Sequence, residues 1–521
     1  MIKIPPIKRK FDLSIISNVG SVLLQQLAIY GISIVTFGII ARTLKPDELG
    51  LYAIVVSLVS LISAIANIGI KRFIVKSVSA LEALGKTLER KGIFWYSSII
   101  AVSSIAIISF IVAYILHILN VFSISNPSID SYIFFVLLFL YSLRIYISGG
   151  LEGLKLFYKL TIYVSSGFLL YRILMIYAAL SGFGVTGIMI AWCIGEACSL
   201  LLILKDILRN YLPVTLYGNI KNILSESLPL SISDTVLASF DWADRIVVSI
   251  YGYSLMAIFY VATTGVAFLG AITQAIYSGL LPHLSERFHK ETREAFSVEI
   301  RNLGRYVILF TSPIYMMAVS LAQPTIIILV GHQYLDAAPI FQLIVLSLWI
   351  TMLNPLIYSS LIAAGKNLEL MLIMVTGLVI EILTLILLYP YLGLIATGIS
   401  RGLLLSVTFA LSILIAQKII DLDIDIEAYI KSTIAATVMA ILLILLWTYV
   451  RHISLFPVYV LLGISVYFIM LRIFKVIKVE ELVMLYNTIP EKTRFVVKFI
   501  SYLLGISYEE VRKRIKEEIR T

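Results

Sequence analysis

At 521 residues, 60% hydrophobic and only 14% charged, this chain lies outside the composition of soluble globular proteins, and its mean hydropathy of +0.99 excludes a soluble enzyme or binding domain. A net charge of +10 would suggest nucleic acid in a soluble protein; here basic loops and a basic tail lying against anionic lipid account for it, and no nucleic-acid partner is called for.

Fourteen apolar stretches follow in chain order, at 14–41, 49–70, 92–119, 132–150, 161–181, 185–204, 229–251, 255–282, 306–322, 338–362, 368–388, 394–417, 432–450 and 455–473. Each is near the ~20 residues that a helix needs to cross a hydrocarbon core. Barrel strands would be half as long and would alternate, so the fold class is an all-α polytopic membrane protein with fourteen transmembrane helices. Lys3, Lys8, Arg9 and Lys10 precede the first stretch, but no small-residue cleavage site follows it, so it reads as an uncleaved first helix. Residues 325–330 are apolar but too short to span and read as a re-entrant or interfacial piece. The charged connections 71–91, 205–228 and 283–305, and the tail 474–521, read as amphipathic helices on the cytoplasmic surface.

The basic residues alternate. Apart from Arg42, Lys45 and Arg451, from Arg144, Arg172, Arg245 and Arg401 within spans, and from Arg472 at the very end of the last span, every lysine and arginine falls in a terminus or in every second connection. Basic residues near span ends resist translocation, which places both termini in the cytoplasm; the cytoplasmic membrane as the compartment is what the family resemblance described below implies.

The chain also resembles itself at an offset near 209 residues. Leu49-Gly50-Leu51-Tyr52 corresponds to Met256-Ala257-Ile258-Phe259, Phe183-Gly184-Val185 to Leu392-Gly393-Leu394, and Gly153-Leu154-Lys155 to Ala364-Gly365-Lys366, each at an equivalent span boundary. Six spans is an even number, so the halves share one orientation, as in parallel-repeat transporters. The expected division is an N-lobe at 1–204, a cytoplasmic linker at 205–228, a C-lobe at 229–417, two further helices at 418–473 and a basic cytoplasmic tail at 474–521.

Ionisable groups inside spans cost roughly 2.5–3.5 kcal/mol near a helix centre and must face protein or water. Away from the first and last two residues of a span they are Arg144, Arg172, Arg245, Arg401, Asp234, Asp241, Asp244, Glu196 and Glu381. The three aspartates share one face of the seventh helix, with Arg245 four residues after Asp241. That face either lines a cavity or holds a self-neutralised Asp241–Arg245 pair. Tyr260, Thr264, Ala267, Ala271, Gln274 and Ser278 form a helical stripe, as do Ser57, Ser60, Ala64 and Asn67, and Asn18, Ser21 and Gln25; such stripes serve close helix packing or a hydrated cavity. The candidate cavity residues are Arg144, Arg172, Arg245, Arg401, Asp241, Asp244 and Gln274, because arginine's planar fork suits phosphate. Glu196, Glu381 and Asp234 are candidates for a coupling ion, H⁺ or Na⁺. At the offset of 209, Arg172 falls on Glu381, so the two either approach across the central axis or find nearer partners in their own lobes.

Cys193 and Cys198 are five residues apart on one helix and cannot bridge, and the histidines His117, His283, His289, His332 and His452 are scattered. No phosphate-binding Gly-Lys-Ser/Thr loop occurs. No metal, cofactor or catalytic constellation is expected, and hence no enzyme.

The run from Ala41 through Arg42, Thr43, Leu44, Lys45, Pro46, Asp47, Glu48, Leu49, Gly50 and Leu51 to Tyr52, with Asn67-Ile68-Gly69-Ile70 after it, resembles the N-terminal signature of the polysaccharide and O-antigen exporters of the multidrug/oligosaccharidyl-lipid/polysaccharide (MOP) superfamily. Asp244-Arg245, Ala257-Ile258-Phe259-Tyr260 and Leu281-Pro282-His283-Leu284-Ser285-Glu286 are similar to that family's second half. The resemblance implies two six-helix lobes that open alternately to each side and turn over a lipid-linked oligosaccharide on a polyprenyl or dolichyl phosphate type of carrier, with membrane lipid around them and no second copy needed. It also implies a cationic cavity, and in some relatives a portal beside helices 1 and 8. The runner-up is an ion-coupled multidrug antiporter of the same superfamily, which would want an acidic residue in the first helix; none lies between Asp12 and Arg42. A membrane glycosyltransferase lacks the external loop it would need, and a structural scaffold would not need buried charges.

Overall fold

A computed structural model describes Ile29 and residues 31–477, except 124–126, 215, 291 and 421, together with residues 483, 501, 508–509 and 513–514. Most of the basic tail and the Asn18, Ser21 and Gln25 stripe therefore lie outside the described residues. Within them the chain is helical throughout, with no strand.

Helix α1 (Gly31–Thr43) is followed by α2 (Pro46–Ala66), which starts where Pro46 supplies a preset φ, and where the Lys45 backbone N–H donates to Glu48 at 3.1 Å. Asp47 and Glu48 lie in its positive first turn. Gly69, at φ +68°, turns the chain into α3 (Ile70–Ala83), whose buried Ile70, Phe73, Ile74 and Val78 leave Lys71, Arg72 and Lys76 on other faces. A Cβ on Gly69 would lie 2.1 Å from the Ser227 carbonyl oxygen, so only glycine lets this corner sit against α8. Helices α4 (Thr87–Ile118), α5 (Pro127–Gly153), α6 (Phe157–Leu180) and α7 (Gly184–Tyr211) pack with α2 and α3 into one group.

The second group is α8 (Ile220–Ser249), α9 (Tyr253–Lys290), α10 (Arg293–Ser320), the short α11 (Ala322–Leu329), α12 (Ala337–Ile350), α13 (Asn354–Ala363), α14 (Asn367–Leu392) and α15 (Ile395–Ile420). Helix α16 (Ile426–Val450) packs on α10, and α17 (Phe456–Ile473) on α16. Helix α2 is the principal bridge, lying against both α8 and α9. Large apolar side chains such as Phe110, Leu387 and Leu445 stay exposed on the outer helix faces, as a surrounding hydrocarbon phase requires.

Eleven described helices are long and apolar enough to cross a membrane, and twelve if one bent pair counts as a single span. That pair is a correction to the expected tenth stretch. Helices α12 and α13 meet at 50°, because Pro355 at the start of α13 lacks an amide hydrogen and restricts the residue before it. Two expected spans fall outside that count: most of the first, residues 14–28 and 30, lies outside the described residues, and the charges of α8 make it too polar. Helix α11 is eight residues long, with Ala322, Pro324, Ile326 and Ile327 buried in the protein. The piece expected as re-entrant thus tucks into the bundle rather than crossing it.

Candidate functional site, a cavity between the two helix groups

A cavity of about 680 Å³ opens between the groups beside α2, α3, α5 and α8. Its walls carry Ser60, Ser63 and Asn67 from α2, Tyr141 from α5 and Trp242 from α8; Lys71, Arg72 and Lys76 of α3 gather at one end with Glu152 and Asp234. The α2 rhythm expected from the sequence is partly realised, since Ser60, Ala64 and Asn67 line the cavity while Ser57 is buried and bonded to the Ala53 carbonyl at 2.8 Å.

Each α3 cation faces a carboxylate. Lys71 Nζ lies 2.9 Å from Glu152, within its own group. Arg72 lies 2.5 Å from Asp234 and Lys76 lies 3.0 Å from Glu226, both across to α8. Sequence reasoning assigned these three cations to a surface helix and missed them as cavity groups. The signal was their position directly after Asn67-Ile68-Gly69-Ile70, where a glycine turn sets α3 against α4, α5 and α8.

The intramembrane charges sort differently from expectation. Arg144 Nε donates to Glu196, whose other carboxylate oxygen accepts from Trp192 Nε1 at 3.0 Å, and the guanidinium lies over the Tyr141 ring at 5.1 Å. Arg401 lies 3.2 Å from both oxygens of the fully buried Glu381, lies 3.9 Å from Asp244 and donates to the Phe240 carbonyl. Arg172 donates to Ser33 Oγ at 3.2 Å and stacks on Phe168 and Tyr171, at 5.0 and 5.3 Å. Glu381 and Arg172 therefore do not meet across the axis. Arg401, on the adjoining helix α15, is the nearer partner for Glu381.

Of the two readings of that face, the self-neutralised Asp241–Arg245 pair does not form. Arg245 turns to the Trp242 ring at 4.1 Å and donates to Thr263 at 3.3 Å, because burial among rings outweighs a local pairing with an aspartate that stays exposed. The three aspartates of α8 separate accordingly: Asp234 faces Arg72, Asp241 is exposed, and Asp244 accepts from the Arg245 backbone at 2.7 Å. Gln274 is exposed and donates to Ser278 at 3.3 Å, so it is not a wall of the main cavity. Thr264, from the same stripe, borders a separate void of about 20 Å³ against Ile34 and Thr325. Of the candidates, Asp234 alone lines the main cavity, while Arg144 and Arg245 stand directly behind its aromatic walls, Tyr141 and Trp242. Among the described residues, no three His, Cys, Asp or Glu side chains converge as a metal site.

A two-group helical membrane protein with a charged cavity between the groups has the architecture of the MOP-superfamily transporters. Residues 39–339, more than half of the chain, match the family described as "Polysaccharide biosynthesis protein", and the chain belongs to that family. A lipid II flippase, MurJ, in an inward closed conformation is similar in fold, at 17% identity, TM-score 0.63, and coverage of 85% of this chain and 98% of that one. An inward-facing multidrug resistance MATE family transporter of the MOP superfamily is similar at 15% identity and TM-score 0.62, covering 78% and 98%. The MATE multidrug transporter DinF-BH is also similar, at 13% identity and TM-score 0.54, covering 81% and 98%. No curated protein matches the chain with significance.

Proposed function

We propose that the protein is a flippase, translocating a lipid-linked oligosaccharide or polysaccharide precursor across the cytoplasmic membrane by alternating access. The observation that carries this reading is the composition of the cavity. Three cations at one end suit the phosphate of a lipid carrier, and the hydroxyl and amide groups of Ser60, Ser63 and Asn67, beside the rings of Tyr141 and Trp242, suit sugar. No bond is made or broken; the two helix groups rock against each other. A gradient of H⁺ or Na⁺, or the membrane potential, supplies the bias. The coupling candidates Glu196, Glu381 and Asp234 each have an arginine partner in this state, so an ion acting through them must accompany release of that arginine.

Likeness of fold does not separate this reading from a multidrug antiporter, the TM-scores being 0.63 and 0.62. Family membership and the uncharged stretch between Asp12 and Arg42 favour the flippase. Depletion should leave lipid-linked oligosaccharide synthesised but stranded on the cytoplasmic leaflet, read by its accessibility to an added glycosidase in oriented vesicles. Normal surface glycan after deletion, with no second flippase present, would sink the proposal. Orientation is tested separately: impermeant labels should reach a cysteine at His452 from outside the cell, and cysteines at Lys86 and Lys221 only after permeabilisation. External labelling at Lys86 would invert the assignment.

A further inference from the structure

We propose that Arg72 and Lys76 form an anion-exchange latch: in the empty protein they tie the two helix groups together through Asp234 and Glu226, and a phosphate or diphosphate in the cavity takes both cations and unties them. This rests on the flippase reading for its physiological ligand, but its physical content is independent of any glycan.

Both cross-group ion pairs come from one short helix and lie at the same end of the cavity. Arg72 and Lys76 are four residues apart, on neighbouring positions of α3, so one ligand can reach both. Their partners lie on α8, whereas the third cation, Lys71, is held by Glu152 inside its own group. Lys71 therefore stays as a fixed positive charge while the other two change partners. A diphosphate offers Arg72 the same pair of acceptor oxygens that Asp234 offers, with more charge, so exchange is favourable without loss of geometry.

Exposure separates these cross-group pairs from the pair buried within the second group, Arg401–Glu381. The Lys76–Glu226 side chains are 73% and 51% exposed and those of Arg72–Asp234 46% and 26%, against 14% and 0% for Arg401–Glu381. Solvent-screened pairs are individually weak and exchange readily; pairs buried like Arg401–Glu381 do not. The groups at this junction are thus set for exchange, while the buried Arg401–Glu381 pair stays within the second group. Close packing of the Gly69 corner against the Ser227 and Ser231 backbone makes small changes in the latch register as α3–α8 separation. The device suppresses idle cycling, because the end of the cavity beside α3 loosens only when an anion is present.

The test is a distance between spin labels at Ala80→Cys on α3 and Asn222→Cys on α8, in full-length protein carrying Cys193→Ser and Cys198→Ser, reconstituted in nanodiscs. Farnesyl diphosphate is the probe, with farnesol and ionic-strength-matched sodium chloride as controls. The diphosphate should shift the distribution from mostly short to mostly long, and the controls should leave it short. Asp234→Asn with Glu226→Gln should give the long distribution with no ligand. Arg72→Gln with Lys76→Gln should do the same and lose the response to diphosphate. A wild-type distribution that does not move with saturating farnesyl diphosphate, or a carboxylate double variant that keeps the short distance, overturns the latch. The stranded-lipid assay reports on the flippase reading alone, so the two failures are distinguishable.

Discussion

Replacing Gly50 by alanine should abolish export and leave the cavity open to the exterior, with leucine more severe. Gly50 lies in the first turns of α2, where the chain meets the start of α9. A Cβ there would sit 1.9 Å from the Tyr253 carbonyl oxygen and 2.5 Å from its carbon. Those are backbone atoms and cannot rotate away, so α2 and α9 must separate. The contact belongs to a seal that includes the Tyr253 hydroxyl donating to the Val121 carbonyl at 2.7 Å, Ser254 donating to Asp47, Arg42 donating to the Ile328 carbonyl at the end of α11, and Gln333 donating to the Ala41 carbonyl at 3.0 Å. In the proposed orientation, with both termini cytoplasmic, this end faces the outside. Overpacking costs about 1–3 kcal/mol, which lowers the ratio of sealed to open state by roughly five- to 150-fold. A cysteine at Ser60 on the cavity wall should then react with an impermeant maleimide from outside much faster than in the parent, while purified yield and thermal midpoint change little. Unchanged labelling with normal export would show that the α2–α9 contact is no gate. The same position explains why glycine follows Leu49 in the family-like signature: the motif records a backbone-to-backbone contact, not a ligand.

Much of the fold was legible in the chain because length and apolarity are one-dimensional properties. Where a stretch was long, uniformly apolar and bounded by charge, as in α4, α7 or α16, a helix lies over it within a few residues. The break between α12 and α13 was missed, although Pro355 marks it, because a span-length window averages over the kink. Partner choice was the least legible layer. Helical spacing shows which residues share a face, but not what lies opposite. The i, i+4 rule offered Asp241 as one possible partner for Arg245, and the fold put Arg245 on Trp242; repeat symmetry left open whether Arg172 meets Glu381 or each has a nearer partner, and Glu381 has Arg401 on the adjoining helix. The α3 cations were read as solvated because amphipathic helices outside spans usually are. The turn at Gly69, which folds them back onto the cavity, depends on α8 more than 150 residues away in sequence.

Arg172→Ala should abolish export without loss of protein, and Arg172→Lys should retain only part of it. Among the four intramembrane arginines, Arg144 and Arg401 are each paired with a buried glutamate, and Arg245 is enclosed by Trp242, Tyr260 and Thr263. Arg172 faces no carboxylate among the described residues, and its Nε is buried without a hydrogen-bond partner. The rings of Phe168 and Tyr171 and the Ser33 hydroxyl are its only described support. A cation within a span costs roughly 2.5–3.5 kcal/mol near the bilayer centre, so one kept there without a counter-charge is a candidate for a charge that arrives later, the phosphate of the carrier. Because no acidic partner among the described residues would be orphaned, alanine removes that attraction without leaving one of them buried and unpaired. Lysine restores the charge but not the planar two-pronged donor, hence a partial rescue. The measurement is flipping of lipid-linked oligosaccharide in proteoliposomes at matched protein density, with thermal stability of the purified variants alongside. Equal flipping by a stable Arg172→Ala would take Arg172 out of the substrate path. A variant that flips poorly only because it melts early would instead make the residue a packing element between α1 and α6, and the lysine variant separates the two cases: a packing role predicts recovery of stability and flipping together, whereas a phosphate-binding role predicts full stability with flipping still impaired.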